Sequence, residues 1–502
     1  MILSNKKKLV LNITGIIIIS FWLSMMFLLI KKEHSGSQGK SEEDESSMIA
    51  ITSDTREWKE IFLDDKKVGY SVSRINPFEK GYLIHEDVFL KLNLMGMARN
   101  VHTVTRSVLD ADFRLNNFYF QMTSGIVRFA ISGKLEGKHL VIESGTGRRK
   151  KIQKIYLDKE PMIGAGMGFF FQAREIKVGD DFMLPLFDPS TMAEKDAHFR
   201  VVAKEKIEIN NITYDSFRIE AEMWGNRMTF WLDEDGSTLK EEGFMGLSTI
   251  KSSAANAPLN IEMEDIEDFY EKVAVPLDRI MPDPERLKSV RFRVEGLDNM
   301  PMILEILNTG RQNYNEGILT IAMENLPSDI GFSDPDKGPA ENLKPYLAPE
   351  YNIESDSEEV MEAAKNIVSG ETNNFEAAKR LMKWVYENIE KKPVISIPSA
   401  LEVLRTRTGD CNEHATLLTA FLRASGIPSR ICVGLVYNQD RFFYHAWSEA
   451  YFGKWVSMDA TLNQIPADVS HISLMHGNLE KQIEIAGVIG KISLKLIDYS
   501  YD

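Results

Sequence analysis

The sequence predicts an α+β protein. In chain order it reads as an N-terminal transmembrane helix, an antiparallel β domain, a small β module or connector, and a C-terminal domain of helices on an antiparallel sheet. Three observations carry this prediction. Residues 9–30 are almost continuously apolar. From residue 55 to 270 apolar residues alternate with polar ones between regular turn signals, the pattern of half-buried strands. At Ser355 the apolar spacing changes to that of helices.

Size and charge bound the functional classes. A chain of 502 residues is too long for one core and implies several domains. A net charge of -15 disfavours nucleic acid as a partner, because a phosphate binder needs a basic face. The basic run Arg148-Arg-Lys-Lys151 lies between two strand-like runs and reads as a solvated loop tip. Two cysteines, Cys411 and Cys432, make no disulfide framework. Cys432 lies in the apolar run Ile431–Val436, which suits a buried small hydrophobe.

Residues 1–32 are expected to form a cytoplasmic N-terminus and a signal-anchor. Twenty-two residues, nearly all apolar, suffice to span a bilayer. Lys6 to Lys8 outnumber Lys31 and Lys32, so the positive-inside rule favours the N-terminus in and the body extracytoplasmic, in a periplasm or on a cell surface. A cleaved signal and the reverse orientation are the alternatives. Residues 33–54, polar and acidic, read as a flexible tether.

Residues 55–270 read as an antiparallel sandwich or partial barrel, with runs such as Val101–Leu109, Ile207–Ile212 and Arg227–Leu232 as strands. Gly164-Ala-Gly-Met-Gly168 lacks the spacing of a dinucleotide loop and is expected to be a plain loop. Asp233-Glu-Asp-Gly236 is expected to be a hairpin turn rather than a calcium loop. Residues 271–350 are rich in proline, with strands expected at Val290–Val294, Met302–Leu307 and Ile318–Met323.

From 351 to 502 the helical signals dominate. Ser355 and Glu358 have capping-box spacing, a second helix starts near Asn374, and Ser399 with Glu402 caps a third. Asp410 and Glu413 repeat the cap spacing, and Leu417, Leu418, Phe421 and Leu422 follow at helical intervals. Cys411 is therefore expected at the first position of a mostly buried helix. There the helix dipole and free amides favour a thiolate and can hold an oxyanion. Phe443–Tyr451 reads as a strand, Phe452-Gly-Lys454 as a loop, and Trp455–Thr461 as the return strand. With that odd loop His445 lies opposite Thr461, and Asp459 is its diagonal neighbour, able to orient the imidazole. Glu413 and His414 are expected in cap or solvent roles. His471 and His476 have no metal-ligand spacing with other candidates, so no metal and no cofactor is expected.

Gly409-Asp-Cys411, Arg423-Ala-Ser-Gly-Ile-Pro-Ser-Arg430, His445-Ala-Trp447 and Trp455-x-x-x-Asp459 together resemble the transglutaminase-like superfamily, in its bacterial, papain-like branch. The resemblance covers roughly residues 355–470. It implies a papain-like core with the cysteine helix packed on a sheet, Cys411 as nucleophile, His445 as base and Asp459 as orienter. Ala460 stands where that family often has proline. The expected activity is thiol acyl transfer on a peptide, protein or cell-envelope amide, with hydrolysis favoured over cross-linking. The alternative is a non-catalytic module that binds a peptide or envelope component. Oligomeric state is not readable.

Overall fold

The β domain of the computed structural model is one continuous sheet that curls over its own core. The structure describes residues 51–501, apart from 126, 145–150, 224–225, 262–265, 298–299, 327–339, 395–396, 478–484 and 486. The span expected at 9–30, most of the tether and most of the basic run at 148–151 lie outside the described residues. Among the described residues no helix is long and apolar enough to cross a membrane. Residues 51–502 form one compact unit.

Fifteen strands make the sheet: β1 (Thr55–Leu63), β2 (Lys66–Phe78), β3 (Gly81–Leu94), β4 (Met97–Leu109), β5 (Leu115–Ser124), β6 (Val127–Glu136), β7 (His139–Ser144), β8 (Lys151–Tyr156), β9 (Met162–Ile163), β10 (Asp181–Asp188), β11 (Ala193–Ile209), β12 (Ile212–Met223), β13 (Asn226–Leu232), β14 (Thr238–Glu242) and β15 (Leu247–Ser252). They run β8 to β1, then β15 back to β9, so the domain's first and last strands are neighbours. Pairings are antiparallel except β9 with β10. Phe118 of β5 and Phe187 of β10 are ten places apart in that order, yet their rings lie 5.4 Å apart across the core. The sheet therefore closes most of the way into a barrel, with open edges at β8 and β9. Helix α1 (Met167–Gln172) drives Phe169, Phe170 and Phe171 into that core.

Two local expectations need correction here, and a third holds. The run at 207–212 is a hairpin: Asn210 and Asn211 both take positive φ, as a two-residue turn requires. The glycines at 164–168 form a helical turn and open α1, because Met167 to Phe171 have a core to fill. Asp233–Gly236 is the hairpin turn expected, with Asp233 Oδ1 accepting from the amides of Asp235 and Ser237.

After α2 (Phe269–Val273) come β16 (Val275–Pro276), β17 (Ser289–Glu295), α3 (Pro301–Ile306), β18 (Gln312–Asn315) and β19 (Ile318–Ala322). The run at 302–307 is thus a helix, not a strand. Pro301 suits the first helical turn, and Ile303 and Leu307, one turn apart, are both buried. β17 to β19 are no free-standing module. They pair with the last strand of the described chain, β26 (Ser493–Ser500), and pack on the C-terminal sheet through Phe292 and Phe442.

The C-terminal sheet holds β22 (Ser429–Asn438), β23 (Arg441–Tyr451), β24 (Trp455–Met458) and β25 (His471–His476), with β16 beside β23. Four helices cover its other face: α4 (Glu358–Ile367), α5 (Asn374–Asn388), α6 (Ala400–Thr406) and α7 (Cys411–Ala424). α4 begins after Ser357 rather than Ser355, because turns from Ile353 and Glu354 hold 355 outside the helix. The two-residue strands β20 (Glu390–Lys391) and β21 (Thr408–Gly409) pair in parallel just ahead of α7.

Candidate active site

Cys411 is the first residue of α7, as the cap spacing predicts. Asp410 Oδ1 accepts from the Asn412 amide at 2.9 Å, and Glu413 Oε2 accepts from the Asp410 amide at 2.9 Å, closing a capping box. Gly409 is required there: a Cβ would lie 2.2 Å from the Glu413 Cβ. Glu413 therefore takes its expected cap role. His414 is not in solvent; it is fully buried, with Nδ1 2.6 Å from the Asp410 carbonyl.

The helix is clamped to β23 from below. Ser448 Oγ donates to the Ala415 carbonyl at 3.0 Å and lies 3.0 Å from Thr419 Oγ1. Ala446 and Ala450, on the same strand face, are fully buried against α7. Small side chains on that face let helix and strand approach closely. Gly434, the cross-strand partner of His445, allows a second close approach. A Cβ there would lie 1.8 Å from the Ile472 carbonyl and 3.0 Å from the Trp447 ring.

The β23–β24 hairpin has the predicted loop, with Tyr451 opposite Trp455. The ladder stops at Ser448 and Met458, so Thr461 does not face His445. The cause is local. Asp459 Oδ1 accepts from the amides of Thr461 at 2.7 Å and Leu462 at 3.0 Å, which turns the chain away. Asp459 still meets the imidazole: His445 Nε2 lies 2.6 Å from Asp459 Oδ2. A carboxylate only accepts, so Nε2 carries the proton and Nδ1 is the nitrogen left for the thiol.

Sequence reasoning passed over a fourth and a fifth member. His471 on β25 is fully buried, with Nε2 3.0 Å from the same Asp459 oxygen and Nδ1 3.2 Å from Asp468 Oδ1. Two carboxylates ask both ring nitrogens to donate. Burial disfavours the charged ring, but these two partners outweigh it and raise its pKa. Burial would likewise raise the Asp459 carboxyl, yet the His445 and His471 rings hold it well below the usual carboxylate range. Asp459 is therefore ionised and fully hydrogen-bonded. The Asp468-x-x-His471 spacing was the available signal.

The thiol itself departs from expectation. Burial pushes Cys411 well above the ordinary cysteine value, and the charges of Asp410, Glu413 and Asp459 act the same way. The Ala446 amide, which donates toward the sulfur, pulls it back. These effects favour the thiol and oppose the pull of the helix N-terminus toward a thiolate. Cys432 is fully buried, as its apolar run suggested.

Cys411 and His445 line one cleft of about 930 Å³. Its far wall comes from outside the cysteine domain. Tyr270 of α2 donates to Asp410 Oδ2 at 3.1 Å, and the tip of the β3–β4 hairpin, Met95 and Gly96, also lines it. Among the described residues, two groups have donor types that can hold a metal ion: His445, Asp459 and His471, and Cys432, Glu449 and His476. In the first, both nitrogens sit at hydrogen-bond distance from one oxygen. In the second, Arg430 already holds the Glu449 carboxylate at 2.7 Å.

Residues 361–460 match the family model of the transglutaminase-like superfamily. The C-terminal third carries a transglutaminase-like domain. Residues 67–241 of the β domain match a second model, protein of unknown function (DUF3108). No curated protein matches the chain. Among solved structures, a candidate cysteine protease from Cytophaga hutchinsonii is 20% identical, over 41% of this chain and 81% of that one, with a TM-score of 0.28. The β-barrel-like protein of domain of unknown function DUF1849 from Brucella abortus is 15% identical, over 39% and 94%, with a TM-score of 0.30. A candidate protease from Parabacteroides distasonis ATCC 8503 is 13% identical, over 77% and 69%, with a TM-score of 0.20.

Proposed function

We propose that this protein is a membrane-anchored, extracytoplasmic cysteine enzyme that cleaves amide bonds by thiol acyl transfer. One observation carries the reading: His445, its Nε2 held 2.6 Å from an ionised Asp459, shares a cleft with a thiol at a helix N-terminus. The thiol gives its proton to His445 Nδ1 as sulfur attacks the substrate carbonyl. The carbonyl oxygen becomes an oxyanion, which amides at the start of α7 stabilise. The amine leaves with the proton from His445, and a thioester remains. Water then gives a proton to His445 and attacks the thioester, releasing acid and thiol. His471 and Asp468 are positioning residues, acting through Asp459. The lysine-flanked apolar run at 9–30 supports the anchor.

The test uses the full chain in detergent, with a fluorogenic amide panel and iodoacetamide. Wild type is expected to turn over a probe, and Cys411→Ala to lose turnover. Equal turnover in both would sink the reading. A second reading is a non-catalytic module that binds a peptide in the same cleft of about 930 Å³. Peptide binding with no turnover, together with alkylation no faster than a free thiol, would select it. Recovery of the protein in alkali-washed membranes, with its body open to external protease, checks the anchor.

A further inference from the structure

The β3–β4 hairpin ends in a two-residue turn, Met95 at φ 50 and Gly96 at φ 74, between the paired residues Leu94 and Met97. Such turns favour Asn, Asp or Gly, and the β11–β12 turn of the same domain uses Asn210 and Asn211. A long apolar side chain in the left-handed region is strained and calls for a reason. Among the described residues two other methionines take positive φ: Met192, which is buried in the core, and Met245, which is half-buried. Met95 differs, because it is 58% exposed and lines the Cys411 cleft. Core packing therefore does not explain it.

The tip is fixed in place although its side chain is exposed. The Gly96 amide donates to Asp268 Oδ2 at 2.7 Å, and Asn93 Nδ2 donates to the Ile266 carbonyl at 3.1 Å. Arg99 Nε donates to the Pro393 carbonyl at 3.0 Å, tying the hairpin to the cysteine domain. Asp268 also caps α2 through the Tyr270 amide at 2.9 Å. Tyr270 commits its hydroxyl to Asp410, so its ring is the apolar part offered to the cleft. Leu462, from the loop that follows Asp459, is a second large apolar side chain left exposed in this cleft, at 45%. Exposed apolar groups from separate elements that converge on one concavity mark a ligand contact.

We propose that Met95 at the hairpin tip, with Tyr270 and Leu462, forms a subsite that takes an apolar side chain of a peptide substrate beside the bond Cys411 attacks. The β domain thereby selects substrate for the transglutaminase-like domain. This rests on the cysteine-chemistry reading above.

The experiment measures second-order labelling of Cys411 in the full chain by dipeptidyl chloromethyl ketones. The probes carry leucine, asparagine, glutamate or lysine at the variable position, and each rate is divided by the iodoacetamide rate of the same protein. Wild type is expected to prefer the leucyl probe over the asparaginyl and glutamyl probes by about tenfold or more. Met95→Asn suits the turn and is expected to fold; it should lose most of that preference, while Met95→Leu keeps it. A flat wild-type profile, or an unchanged preference in a folded Met95→Asn, overturns the subsite and leaves the cysteine chemistry standing. Failure of iodoacetamide to label Cys411 at all would overturn the cysteine chemistry, and the subsite with it.

Discussion

Replacing Asp459 by Asn isolates the orienting charge. Asp459 makes four contacts: Oδ1 accepts from two backbone amides, and Oδ2 faces His445 Nε2 and His471 Nε2 at 2.6 and 3.0 Å. Asn can keep Oδ1 and its amides, so the turn at 459–464 persists. Its Nδ2 then points hydrogens at two ring nitrogens that are themselves donors. To escape that clash His445 must move its proton to Nδ1, the nitrogen meant to receive the thiol proton. The loss is one of tautomer rather than fold. Expected amide turnover falls by roughly 100- to 10,000-fold. That is about 3–5 kcal/mol of barrier at ~1.4 kcal/mol per tenfold. Initial rates on the best amide probe report it, with a thermal melt run beside them to confirm folding. A folded Asn variant that keeps more than a tenth of wild-type turnover would refute the assignment of Asp459 as orienter.

Four further outcomes follow from the same contacts. His471 has a raised pKa, so its contribution to stability is complete below its ordinary value of 6.5 and is lost as pH rises through the raised one. Urea midpoints of wild type should fall as pH rises through that range, while those of His471→Gln stay flatter. Glu449 is held at about 2: burial opposes the charge, but His476 and Arg430 prevail. Its contribution, up to about 3 kcal/mol, is present above its ordinary 4.5 and lost as pH falls toward 2, so Glu449→Gln should remove that acid slope. Tyr270→Phe takes a hydrogen bond from Asp410, leaves more negative charge beside the sulfur, and should slow alkylation of Cys411 several-fold at fixed pH. Native iodoacetamide labelling, read by intact mass, should reach one thiol; Cys432, fully buried, should react only after denaturation.

Features written in local spacing were legible in the sequence. The Asp410/Glu413 cap puts Cys411 at the helix start, and the Phe452–Lys454 loop sets the β23 register, because both are decided within a few residues. Asp459 was reached by a register argument that its own side chain then cut short, since its Asx turn ends the ladder before Thr461. Long-range partners were not legible. Nothing near His471 says that it will share an oxygen with His445, and nothing in 271–350 says that strand β26 will complete its sheet. Helix α3 was missed because Met302 to Leu307 is a short apolar run, for which periodicity does not separate helix from strand. The thiol's raised pKa was missed because Asp410 and Glu413, visible beside Cys411, read only as a helix cap, while the burial and the approach of Asp459 are not visible in sequence.

The seam between β1 and β15 has a practical side. Thr55 opens β1 at one end of the ladder, opposite Ile75, and Leu63 closes it beside the Asp64 turn that Lys272 of α2 grips. The Met95 tip extends past that same closing end, since Leu90 of β3 is already level with Gly69 of β2. Nine strand residues, roughly 30 Å, separate the two ends. A biosensor chip or resin coupled just ahead of Thr55 would therefore hold the β domain at the end of β1 away from the Met95 tip, and the cleft that the tip lines would lie on the far side.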